Sequence, residues 1–245
     1  MKITKRQRRF LSVIFIITVI EFIAAVLKAV FADINYRAEN ITLALLCLVM
    51  IAVLFFPVIL KKLWSMSVPN SMYVLFIIFC FCAIILGDVK NFYSRFAHWD
   101  DLLHFCSGML LSVLGFMLVN TLNNSENMNI SLNPFFVAAV AFCFTMTVQA
   151  LWEIYEFLSD EFLGTNAQTF MQTTTGSFIG PDDVPLVGHE ALRDTMTDFM
   201  LDGLGGLIIS VLGYLELKKG KKGFSTDKMK ISSEKNSVNS KSDGA

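Results

Sequence analysis

The chain has 245 residues, 54% of them hydrophobic and only 17% charged, with a formal net charge of −1. Soluble domains carry about 25% charged residues, so this composition excludes an ordinary soluble domain, offers no basic surface for a nucleic acid, and indicates an integral membrane protein. The near-neutral total hides an asymmetry: Lys2, Lys5, Arg6, Arg8 and Arg9 open the chain, Lys218, Lys219, Lys221 and Lys222 follow its last apolar stretch, and the acids concentrate between.

Apolar runs of about 17–25 residues suit a spanning helix, and six are predicted. After the basic residues 1–9, the first runs from about Phe10 to Ala32. It is too long for a signal-peptide core and no convincing cleavage site follows, so it reads as retained. Glu21 and Lys28 lie seven residues apart on one face of it. Glu21, near mid-membrane, reads as paired with a neighbour or as part of a proton path, and Lys28 as snorkelling outward. The second run, Ile41 to Leu60, ends at Lys61 and Lys62. Ser71 to Gly87, Leu102 to Leu122, Pro134 to Leu158 and Met196 to Leu217 complete the set. The expected fold is all-α and polytopic, with residues 10–217 forming a six-helix transmembrane domain. Residues 218–245 are a Lys- and Ser-rich tail without apolar periodicity, expected to be disordered. Basic residues favour the cytoplasmic side, which places both termini and Lys61–Lys62 inside. Cys47, Cys80, Cys82, Cys106 and Cys143 all fall within apolar runs, with no disulfide framework or paired zinc spacing. They read as small hydrophobes.

Most connections are short. The exception is Ser159 to Arg193, which links the last two spans on the outer side and contains GTNAQTFMQTTTGSFIG and PDDVP. Connections longer than about 12–15 residues are usually functional or disordered. This one reads equally as a lid or as a plain surface loop.

Three helix ends carry ionisable residues at three- or four-residue spacing, hence on single faces. They are Asp100, Asp101 and His104; Glu153, Glu156 and Asp160; and Asp194, Asp198 and Asp202. The topology puts all three at the outer ends of consecutive helices at similar depth. Consecutive helices usually pack together, and Gly108, Gly203 and Gly206 favour close approach. One outward-facing pocket is the simplest arrangement. Ionisable groups at membrane depth usually mark function, and so many carboxylates need protons or a cation to sit there together.

A divalent ion meets that need. Carboxylates favour Mg or Mn, and an imidazole admits Zn or Fe. His104, Glu153, Asp198 and Asp202 are the expected metal ligands. Asp101 or Glu156 is expected as general base, or as the group that orients the histidine. Bland readings stand beside these. Asp100 or Asp101 suits a helix N-cap, as does Asp194. Asp160 suits a helix end in water, Glu156 a pair with Arg95, and His189 a solvent-facing loop residue. Gln149, Thr145 and Thr147 extend the pocket inward or tie helices together.

The segments Asp100-Asp101-Leu-Leu-His104-Phe105-Cys-Ser-Gly108, Glu153-Ile-Tyr-Glu156-Phe157 and Asp194-Thr-Met-Thr-Asp198, the last followed by Gly203, together resemble the YjdF-like family of bacterial inner-membrane proteins. The resemblance covers roughly residues 88–217. It implies a multi-pass protein of the bacterial cytoplasmic membrane with about six helices, and it implies no reaction.

Three functional classes fit these features. The leading one is a metal-dependent enzyme acting on a lipid or lipid-linked substrate among the membrane lipids. An ion-coupled transporter is the second; the lack of an internal repeat and the nearly all-apolar inner halves of the fourth and sixth spans speak against it. The third is a non-enzymatic membrane or partner-binding protein whose acids only cap and tie helices.

Overall fold

The computed structural model describes residues 4–31, 33–64, 66–67, 69–123, 132–172, 179–180, 182–220 and 230–231. The helices are α1 (Lys5–Phe31), α2 (Ile34–Trp64), α3 (Asn70–Cys80), the four-residue α4 (Phe92–Arg95), α5 (Trp99–Asn123), α6 (Pro134–Leu163) and α7 (Arg193–Lys218). Among the described residues, six helical stretches are long and apolar enough to cross a membrane, as the hydropathy pattern requires. Most begin or end several residues beyond the apolar runs. Polar residues near the interface keep their backbone groups bonded within the helix, which is the least costly arrangement at a membrane boundary.

The third span departs from expectation. It is α-helical only to Cys80 and then winds as a π-helix over Phe81–Val89. The Lys90 amide donates to the Ile85 carbonyl, five residues back. Asn91 then adopts a left-handed conformation (φ 58°) and starts α4. Phe92 stacks near Phe96 and Trp99, with ring centroids 4.8 and 5.0 Å away. That aromatic cluster fixes the entry into α5.

Two groups of helices result. α1 and α2 pack together with the third span, around Ile14, Cys47, Met50, Tyr73, Ile77 and Ile85. The Tyr73 hydroxyl donates to the Leu54 carbonyl at 2.7 Å. Glu21 does find a neighbour: Lys90, at the end of the π-helix, lies 2.6 Å away. α5, α6 and α7 form the second group. Here backbones approach closely. A Cβ on Gly108 would overlap the Asp202 carbonyl, and one on Gly205 would overlap the Phe105 carbonyl. One further turn along, Ser112 and Ser210 share a buried hydrogen bond of 3.0 Å. Gly205 therefore lines the contact with α5 and Gly206, against Thr145, the contact with α6, whereas Gly203 has room. With no hydrophobic force between helices in lipid, such close packing and interhelical hydrogen bonds hold the bundle.

The connection from α6 to α7 is partly folded. Met171–Gln172 (β2) pairs with Val184–Pro185 (β3), and Leu186 donates to the Phe170 carbonyl. The Asp160 carboxylate is its anchor. It accepts from Thr165 Oγ1 (2.6 Å), the Ala167 amide (2.7 Å) and the Gln168 amide (3.0 Å). Asp160 is buried and is not the solvated helix end that its position suggested. Met66–Ser67 (β1) pairs with Lys230–Ile231 (β4); the rest of the tail beyond Gly220 lies outside the described residues.

Candidate metal centre

The start of α5, the end of α6 and the start of α7 meet, as the spacing of their acids predicts. His104 and Asp198 each lie about 8 Å along their helices, Glu156 about 10 Å and Glu153 about 15 Å from the end of theirs, at about 1.5 Å per residue. All are buried. The N-termini of α5 and α7 point here, and their partial positive charge favours anions.

His104 is the centre of the arrangement. Its Nδ1 stands 2.7 Å from Asp202 Oδ2. Asp202 is fully enclosed, and its Oδ1 contacts the Ser107 hydroxyl. Gln149 Nε2 also stands 3.3 Å from Nδ1, but one ring nitrogen cannot both donate to Asp202 and accept from an amide. The shorter, charge-assisted contact prevails. Nδ1–H therefore donates to Asp202, and in the neutral ring the Nε2 lone pair faces Asp100 Oδ1 (3.7 Å) and Asp198 Oδ2 (3.8 Å). A carboxylate behind a histidine commonly sets this tautomer where the other nitrogen binds metal.

The second half of the site is made of carboxylates. Glu153 Oε1 accepts from Gln149 and Glu156 Oε1 from Trp152, each at 2.8 Å. Their Oε2 atoms and Asp198 Oδ2 are buried and have no hydrogen-bond partner among the described residues. One oxygen each from Glu153, Glu156 and Asp198 lies within 4.8 Å of the others. Asp100, His104 and Asp198 form a second such group. Leaving a buried carboxylate oxygen unbonded costs at least about 1–3 kcal/mol, so three such carboxylates in one cluster call for a proton or a cation. Both groups fit a divalent ion by number, type and spacing of donors.

Expected and observed positions differ in detail. His104, Glu153 and Asp198 converge as predicted. Asp202 stands behind His104 and orients it. Glu156 joins Glu153 and Asp198 as a donor and makes no ion pair with Arg95, which is exposed. Asp101 turns to His98, 2.7 Å away at the mouth. α5 begins at Trp99, so Asp100 and Asp101 occupy its first turn and neither is the N-cap. α7 likewise begins at Arg193, one residue before Asp194. Asp100 belongs to the site, and its position four residues before His104 was the readable signal. His189 is exposed, as expected of a loop histidine. The loop reaches the site through Gln168, whose Nε2 donates to Thr195 Oγ1 at 3.0 Å.

Tyr93 had no signal in the sequence. It follows the π-helix, its ring fills the space left by the missing side chain of Gly87, and it is partly buried. Burial pushes its phenol above the usual range, and the negative charge of Asp88, Asp100 and Glu156 nearby pushes it further. The short α4 after the third span thus supplies a wall to a site whose candidate donors come from α5–α7.

No curated protein and no solved structure matches the chain. A family model described as "Predicted membrane protein (DUF2238)" matches residues 10–219. That stretch takes in all six spans and every donor of the site, in keeping with the YjdF-like resemblance of the motifs. The chain belongs to this family of membrane proteins.

Proposed function

We propose that the protein is a membrane-embedded enzyme that uses a divalent metal ion (Zn, Mn, Mg or Fe) to act on a lipid or lipid-linked substrate at the outer leaflet of a bacterial cytoplasmic membrane. The observation that carries this reading is the convergence of three carboxylates, from Glu153, Glu156 and Asp198, each with one buried and unbonded oxygen, beside a histidine oriented by Asp202. A structural role alone leaves those oxygens without a partner at large cost.

Each residue has a task. Glu153, Glu156, Asp198 and His104 hold the ion, and Asp202 fixes the imidazole. Asp101, bonded to His98 rather than held in either donor group, is the carboxylate left to accept a proton at the mouth. A bound ion of this kind polarises a substrate oxygen or lowers the pKa of water to about 7. The helix surfaces around the site favour a substrate that arrives through the bilayer. Leu151, Ile154, Tyr155, Phe157 and Met200 are exposed on α6 and α7, so the approach is apolar while the donors are not. Positive residues at both termini support an outward-facing mouth.

The test uses the full chain in lipid nanodiscs. Elemental analysis should find a divalent ion, and a panel of labelled phospholipids and polyprenyl phosphates should include one whose turnover stops with chelator and returns with metal. Metal-free protein with intact helicity after metal loading would sink the metal reading. Bound metal without chelator-sensitive turnover on the panel would sink the enzymatic one.

A further inference from the structure

We infer that the site holds two metal ions side by side, bridged by Asp198. This deepens the single-ion reading above and rests on it. Asp198 belongs to both donor groups: with Asp100 and His104 on one side, and with Glu153 and Glu156 on the other. No other described residue is shared. Asp198 is 1% exposed and its Oδ2 has no hydrogen bond. Glu153 and Glu156, 5% and 9% exposed, likewise each carry a buried, unbonded oxygen.

The spacing of the first group fits an ion between its members. Nε2 of His104 is 3.7 Å from Asp100 and 3.8 Å from Asp198, too far for hydrogen bonds. Ligands on a tetrahedral ion with bonds of ~2.1 Å lie about 3.4 Å apart, so only a few tenths of an ångström of closure is needed. Two ions that share a carboxylate stand about 3.5–4 Å apart. Adjacent groups that share one residue and each close within 4.8 Å suit that separation.

Charge points the same way. Asp100, Glu153, Glu156, Asp194, Asp198 and Asp202 carry −6 when ionised, against a single imidazole. One divalent ion leaves −4, and two leave −2. At membrane depth the smaller residue is strongly preferred. The two positions differ in kind. The histidine side takes Zn, Fe or Mn, the all-oxygen side Mg or Mn. Manganese suits both and is the probe of choice.

The experiment loads the full chain in nanodiscs with Mn²⁺, removes excess ion, and measures manganese per chain together with its electron paramagnetic resonance. Two ions per chain and an exchange-coupled spectrum are expected. His104→Ala, or the shape-preserving Asp100→Asn, should retain one ion with the hyperfine sextet of isolated manganese. Glu156→Gln should do the same from the other side, and Asp198→Asn should fall below one. Helicity and monodisperse elution identify any variant that fails to fold, and Asp100→Asn and Glu156→Gln then carry the comparison. One ion per chain, indifferent to His104→Ala and Asp100→Asn, overturns the pair while leaving the single-ion reading intact. Two uncoupled ions that survive Asp198→Asn overturn the shared carboxylate. No bound ion overturns both readings.

Discussion

Asp202→Asn tests whether the fully buried Asp202 supports His104 or binds metal itself. The carboxylate accepts from His104 Nδ1 at 2.7 Å through one oxygen and contacts the Ser107 hydroxyl with the other. Asparagine keeps the shape but exchanges one acceptor oxygen for an NH₂ donor. Either Ser107 or His104 then loses its partner, and the imidazole loses the charge that fixes its tautomer and raises its basicity. Changes of this kind behind a metal-binding histidine cost about 10–100-fold in metal affinity, or about 1.4–2.8 kcal/mol. The expected outcome is a Kd raised by that factor with the number of ions per chain unchanged. Titration of nanodisc-embedded protein against a metal-competing dye measures both quantities. A direct ligand behaves differently: its loss lowers the number of ions bound. Wild-type affinity in Asp202→Asn would refute the orienting role, and a lost ion would show that Asp202 coordinates metal directly.

Three further outcomes follow from the packing. Gly108→Leu places a side chain where the Asp202 carbonyl stands, and overpacking of a close helix contact costs about 1–3 kcal/mol. A clear drop in thermal unfolding temperature in detergent is expected. Ser112→Ala, which removes only the hydrogen bond to Ser210, should cost under about 1 kcal/mol; equal losses in the two variants would contradict the packing. Asp160→Ala removes three hydrogen bonds that fasten the loop after α6. Amide exchange over residues 164–172 should speed up at least tenfold while metal stoichiometry holds, and unchanged exchange would deny Asp160 its anchoring role. Glu21→Gln should weaken the tie to Lys90 without altering metal binding, since that pair sits in the other helix group. A lost ion in this variant would show that the two groups are one site.

The six spans, and the meeting of three acidic helix ends, were legible because hydropathy and helical spacing are local properties. Asp100, four residues before His104, showed its face in the same way. The division of labour among the acids was not legible. Whether Asp202 binds metal or orients His104 depends on a side-chain contact across 98 residues. Asp160 resembles any acid at a helix end until the loop folds back on it. The π-helix is the clearest miss. Phe81–Val89 is as apolar as its neighbours, and nothing in its composition announces a wider turn. Tyr93 was invisible for the same reason, because its place depends on the helix path that precedes it.

The widened turn also redraws the smallest piece of chain that could work. Every donor lies between Asp100 and Asp202, so a fragment starting at α5 would contain the complete donor set. It would lack Tyr93, packed against Gly87 as the wall beside Asp100 and Glu156. The wall of the site therefore begins upstream, at Gly87 or earlier, and a cut between the third span and α5 would pass through the site itself.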